Sequence, residues 1–346
     1  MSSTAAANPY LPVRQDWLDR HHEAALDPTL PIIDPHHHLW DRQGWRYMVD
    51  DLLADVNTGH NIVATVFVQA RAMHRAGGPE EFRPIGETEF VNGVAAMSAS
   101  GIYGKTVLCA GIVGHADLRG RQVAEVLETH LHRAGDRFRG IRHIAAWSDE
   151  PDLMNAGNAA PPHLLADAAF REGFSKLAPL GLTFEAWVYH PQIDEVTALA
   201  QAFPGTRIVL NHFGGPLGIG RYAGKQAGIF PGWAKSVQAL ARCPNVFAKL
   251  GGLGMRINGF GFEHADTPPD SAKLVAVWKP YMDTMITAFG ADRCMFESNF
   301  PVDKGSYAYG PFWNACKLLA KDASASERTD LFTGTATRFY RLQLPG

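Results

Sequence analysis

The sequence predicts an α/β protein, a (β/α)8 TIM barrel with an N-terminal extension and long βα loops. Three observations lead there: eight short apolar runs, amphipathic stretches between them, and glycine-rich segments that follow a run. The expected strands are 31–34, 62–69, 106–112, 138–144, 183–188, 207–210, 246–249 and 294–296. Each is rich in branched or aromatic residues, as a strand covered on both faces must be. Between them, Val123, Val126, Leu127, His130 and Leu131 make one apolar helical face, and Val196, Leu199, Ala200 and Phe203 make another. Pro204-Gly205 stops the latter. Leu274, Val277, Trp278, Tyr281 and Met282 repeat the pattern, as do Trp313, Cys316, Leu319 and Ala320. No G-x-G-x-x-G follows a strand, which weakens a nucleotide-binding open sheet. Residues 1–30 are expected as an N-terminal arm and residues 31–346 as one catalytic barrel. Segments 211–231 and 251–271 read as long loops, the kind that line a barrel's mouth.

Composition narrows the function. The chain has 346 residues, 46% hydrophobic and 19% charged, which excludes a disordered protein. Its 32 basic and 35 acidic residues give a net charge of −3, no footprint for nucleic acid or an anionic membrane. No apolar run approaches the ~18 residues of a spanning helix, and the first twenty residues lack a signal peptide's apolar core. Cys109, Cys243, Cys294 and Cys316 stand far apart without a CxxC pair, as expected for reduced thiols in the cytoplasm. The expected partner is a small molecule, and a homodimer is compatible with the composition.

The unusual residue is histidine, at 15 copies. The first strand runs into Asp34-Pro35-His36-His37-His38. In an extended chain Asp34, His36 and His38 share one face and His37 takes the other. A His-x-His pair at a strand's C-terminal end presents two imidazoles to one divalent ion. A second strand ends in Asn211-His212-Phe213-Gly214-Gly215, which brings His212 to the same rim. The last strand places Glu297, Asn299 and Asp303 nearby, where a carboxylate completes a metal shell or acts as base on water.

These segments, together with Phe138-Arg139-Gly140-Ile141-Arg142-His143, Lys249-Leu250-x-Gly252-Leu253 and Phe296-x-Ser298-Asn299-Phe300-Pro301, resemble the amidohydrolase superfamily. The branch is that of TIM-barrel hydrolases and sugar-acid lactonases. The resemblance implies a divalent cofactor, zinc foremost, on His36, His38 and His212, although some members of the branch use no metal. It also implies water addition to the carbonyl of a lactone or related cyclic ester of a sugar or dicarboxylic acid. A decarboxylase of a small unsaturated or aromatic acid is the alternative within the superfamily, and a non-catalytic ligand-binding barrel is the alternative outside it. One departure stands out: Asn299 occupies the position of the family's aspartate, and an amide is no base. Asp303 is then expected to move the proton, with Glu297 as the other candidate.

The remaining candidates sit at strand ends. Gln69 closes the second strand, and Arg142 and His143 close the fourth. Arg142 suits a substrate carboxylate through its planar fork. Glu185 and Lys249, each in an apolar strand, are expected to contact substrate or to pair with each other.

Overall fold

The computed structural model describes residues 10–150, 153 and 160–344. Eight parallel strands form one sheet in chain order: β1 Pro31–His37, β2 Asn61–Val68, β3 Val107–Gly114, β4 Phe138–Ile141, β5 Thr183–Ala186, β6 Ile208–Leu210, β7 Val246–Leu250 and β8 Cys294–Phe296. All eight expected strands are present and the barrel fold is borne out. β4 and β5 stop earlier than the sequence predicts. Their ends stay tied to neighbours by single bonds, Arg142 N–H to Gly114 O at 2.9 Å and Ala145 N–H to Trp187 O at 3.0 Å.

β8 meets β1 differently. No full ladder joins them; instead His37 bridges Phe300, His38 N–H donates to Phe300 O at 2.8 Å, and Asn299 N–H donates to His36 O at 3.0 Å. The Asp34 carboxylate completes the seam. It accepts from Ser298 N–H at 3.0 Å, Ser298 Oγ at 2.6 Å and Tyr309 Oη at 2.9 Å. The register of β1 shifts between Asp34 and His37, so the strict alternation expected for Asp34, His36 and His38 fails there. Asp34 is spent on the seam, while His36 and His38 continue to the mouth.

Helices follow the strands as α1 Val49–Val56, α2 Ile85–Ala99, α3 Val123–Ala134, α4 Ala168–Phe174, α5 Ile193–Ala202, α6 Gln226–Leu240, α7 Ser271–Phe289 and α8 Tyr309–Leu319. Their starts are chemically marked in places. Asp167 accepts from Phe170 N–H at 2.8 Å and Asp270 from Lys273 N–H at 2.7 Å, each meeting an otherwise orphan donor. α6 begins five residues before Pro231, so the loop expected over 211–231 ends at Lys225. The apolar faces of these helices bury against the outer faces of the strands in one large core. A separate inner core holds Ile33, Val66, Val68, Val113, Val209 and Met295, with Phe339 and Tyr340 of the helix Thr335–Tyr340.

Of the N-terminal arm, residues 1–9 lie outside the described residues. Residues 10–30 cross the loop after β7: Trp17 Nε1 donates to Ala265 O at 2.9 Å, and Glu23 accepts from Ser271 N–H at 2.6 Å. Tyr10 and Leu11 reach the barrel mouth. Among the described residues, no helix is long and apolar enough to cross a membrane.

Candidate active site

A cleft opens at the C-terminal ends of the strands. His38, Gln69, Arg142, His212 and Asn299 line it. Glu185, Lys249, His36, Glu297 and Asp303 lie beneath or behind its wall, fully buried.

His212 is held from two sides. Its Nδ1 lies 2.7 Å from Glu297 Oε1, and the Trp187 ring packs edge-on with centroids 4.8 Å apart. It adopts φ +52° as β6 turns into the Phe213-Gly214 corner. Gly252 makes room for it: a Cβ there would lie 2.5 Å from His212 Nδ1, and the φ of +82° also favours glycine. His38 donates Nδ1–H to Val68 O at 2.7 Å, which leaves its Nε2 as the lone-pair nitrogen. Trp40 stacks on its ring at 5.6 Å.

His36 is ringed by charge. Glu297 Oε2 lies 2.7 Å and Lys249 Nζ 3.1 Å from Nδ1, while Arg142 Nη1 lies 3.2 Å from Nε2. Burial, reinforced by these cations and by the other histidines, holds the imidazoles of His36, His38 and His212 well below their ordinary range. All three are therefore neutral at pH 7. Glu297 moves the other way: burial pushes its carboxyl up to about 8 against the pull of Lys249.

The sequence-named ligands regroup. His36, His212 and Glu297 offer donor atoms within 4.8 Å of one another, and His38 is outside that cluster. Two imidazoles and a carboxylate are a donor set that zinc and similar cations accept. Glu297 bridges the two rings, with Oε1 2.7 Å from His212 Nδ1 and Oε2 2.7 Å from His36 Nδ1, so one carboxyl group faces both imidazoles. The residues present therefore fit a divalent ion.

Other candidates are placed elsewhere than expected. Asp303 does not face the cleft. Its carboxylate accepts from Tyr307 Oη, from Gly254 N–H at 2.9 Å and from Asn299 Nδ2 at 2.8 Å, and burial raises it to about 7. Asn299 covers it and is the one of the pair that lines the cleft. Glu185 and Lys249 pair at 2.8 Å, and Glu185 also accepts from Asn211 Nδ2 and Tyr340 Oη. His143 turns away from Arg142, as alternation requires at a strand end, and faces a separate side cavity. Sequence reasoning missed Arg42, Arg71 and Arg256, which line the cleft with Arg142. They come from three separate loops, and no local pattern marks them.

The geometry is that of a TIM-barrel enzyme with a histidine-carboxylate centre at its mouth. Comparison with known proteins gives the class a name. The amidohydrolase family model matches residues 33–342, and the chain belongs to that family, whose superfamily members are enzymes. An uncharacterized protein, y4mH, of Sinorhizobium fredii is 33% identical, over 90% of this chain and 99% of its own. An L-fucono-1,5-lactonase of Burkholderia multivorans is 26% identical, over 90% of this chain and 97% of its own. The crystal structure of a Burkholderia multivorans amidohydrolase with bound zinc superposes with a TM-score of 0.69 at 26% identity, covering 90% of this chain and 99% of that one.

Proposed function

We propose that the protein opens a lactone or related cyclic ester of a small organic acid by adding water to its carbonyl. One observation carries this reading. The cleft holds four arginines (Arg42, Arg71, Arg142 and Arg256), and none lies within ion-pair distance of a carboxylate among the described residues. Arg142 is buried, Arg42 and Arg256 are half-buried and Arg71 is exposed, and four such cations around one cleft without an ion-paired carboxylate are a site for an anion. Ester hydrolysis produces a carboxylate in that place. Likeness to lactonases supports the reaction, and apolar walls from Trp40, Trp187, Tyr189 and Ile257 suit a ring.

In this reading His38 is the base. Its Nδ1–H is committed to Val68 O, so Nε2 takes the proton from water as the oxygen attacks. Arg142 is pinned by its contact with His36 and its bond to Gln69 O, and it holds the charge that develops on the carbonyl oxygen. Lys249 and Glu185 keep His36 in place from below. A divalent cation, zinc foremost, would be held by His36, His212 and Glu297; when bound it supplies Lewis acidity toward a carbonyl or water.

A pH-indicator assay over six-membered lactones of hydroxy acids, with zinc-loaded protein, tests the proposal. At least one lactone is expected to open, and His38→Gln is expected to cut kcat by about 10²–10⁴-fold, the usual worth of a positioned base. No opening of any lactone would refute it.

A further inference from the structure

Beside the main cleft lies a second cavity. Gln69, Arg71 and Ile144 line both spaces; His115, Asp117, Arg119 and His143 line the second alone. We propose that this side cavity is a substrate subsite that takes a polyhydroxylated arm of the acid, reached past Gln69. The proposal rests on the hydrolase reading of the main cleft and names the substrate class that the cleft would serve.

The hydrogen-bonding inventory selects hydroxyl groups. Gln69 is 1% exposed, and its side-chain oxygen has no hydrogen-bond partner, which is costly unless a ligand supplies one. His115 donates Nδ1–H to Arg142 O at 3.1 Å, so its Nε2 is an acceptor without a partner among the described residues. His143 Nδ1 accepts from Leu118 N–H at 3.3 Å, so its Nε2 carries the proton and donates. Arg71 adds further donors and has no carboxylate at ion-pair distance, whereas Arg119 is occupied with Asp117 at 3.4 Å. Acceptors and donors therefore share one space. A hydrocarbon arm would satisfy none of them. A bare carboxylate would leave Gln69 Oε1 and His115 Nε2 unmet. A hydroxyl both donates and accepts, and several hydroxyls on one chain meet the whole set.

The position of the cavity fits a substituent, not a second molecule. Arg142 faces the main cleft, and its own carbonyl is the acceptor for His115. The group that orients the reacting acid and the group that reads the arm are thus joined through one residue's backbone.

Equilibrium calorimetry with two six-carbon probes tests this: D-gluconate, which carries hydroxyls along its chain, and hexanoate, which carries none. The natural protein is expected to bind gluconate at least about tenfold more tightly, the worth of one to two net hydrogen bonds. Ala160 also lines the side cavity, and Ala160→Phe, which fills it, should erase that preference while leaving hexanoate within about twofold. His143→Leu is the second variant, should Ala160→Phe fail a circular-dichroism melt. It is expected to weaken gluconate about threefold to tenfold and spare hexanoate. Equal binding of the two probes, binding of neither, or gluconate affinity unchanged in a folded variant would overturn the subsite. A kept gluconate preference in a protein that opens no lactone would retain the subsite and discard the hydrolase reading.

Discussion

Lys249→Met removes the charge from the buried pair under the site and keeps the length of the side chain. Both Lys249 and Glu185 are 0% exposed, and their charged atoms lie 2.8 Å apart. After the change Glu185 keeps only two neutral donors, Asn211 and Tyr340. A carboxylate stripped of its buried partner costs about 3–5 kcal/mol, a large share of the roughly 5–15 kcal/mol that holds a domain folded. Restoring neutrality with Glu185→Gln in the same chain should recover most of this, because the uncompensated charge is the main penalty. Urea unfolding followed by tryptophan fluorescence measures both variants, and unchanged slopes license comparison of the midpoints. If the single change cost under about 1 kcal/mol, or if the two changes simply added, the pair would not be coupled as the geometry requires. A lysine that contacts substrate would instead weaken ligand binding at constant stability.

Glu87 gives a pH signature from behind the cleft wall, where it holds the backbone on either side of Arg71. It is fully buried, accepts from Ala70 and Ala72 N–H at 2.8 Å each, and burial raises it to about 7. A raised acid contributes stability that is complete below its unfolded value near 4.5 and lost as pH rises through about 7. Glu87→Gln should therefore gain on the natural protein across that window, by at most about 3 kcal/mol; a pH-independent difference in urea midpoints would contradict it. Asn299→Asp exchanges a donor for a second carboxylate 2.8 Å from Asp303. Melting temperature should fall more at pH 8 than at pH 5, since at low pH the pair can share a proton, and an unchanged melt at pH 8 would argue against the contact.

What could be read from sequence divides along a physical line. Strands buried on both faces must be short, continuous and apolar, so all eight were visible, and His36, His38 and His212 followed from where those runs turn polar. Alternation alone predicts that Arg142 and His143 point apart, yet both were assigned to one site because each ends the same strand. Asp34 misled because β1 shifts register after it and its carboxylate is taken by Ser298 and Tyr309, more than 260 residues away. Asp303 looked available because nothing local shows that Gly254, Tyr307 and Asn299 already occupy it. Arg42, Arg71 and Arg256 are ordinary loop arginines until the barrel collects them. Glu297, named only as an alternative base, turned out to touch two of the histidines.

The seam between β1 and β8 has a kinetic consequence. Seven neighbouring strand pairs form ladders between segments close in sequence, whereas the seam joins residue 34 to residue 298 through a carboxylate and a few backbone bonds. The loop it closes is the longest in the barrel, so its entropy is spent for the fewest contacts, and closure should come late in refolding. His36 and Glu297 stand on opposite sides of that seam. A refolding chain would regain its far-ultraviolet signal first, and the histidine-carboxylate centre would be assembled only by the final event.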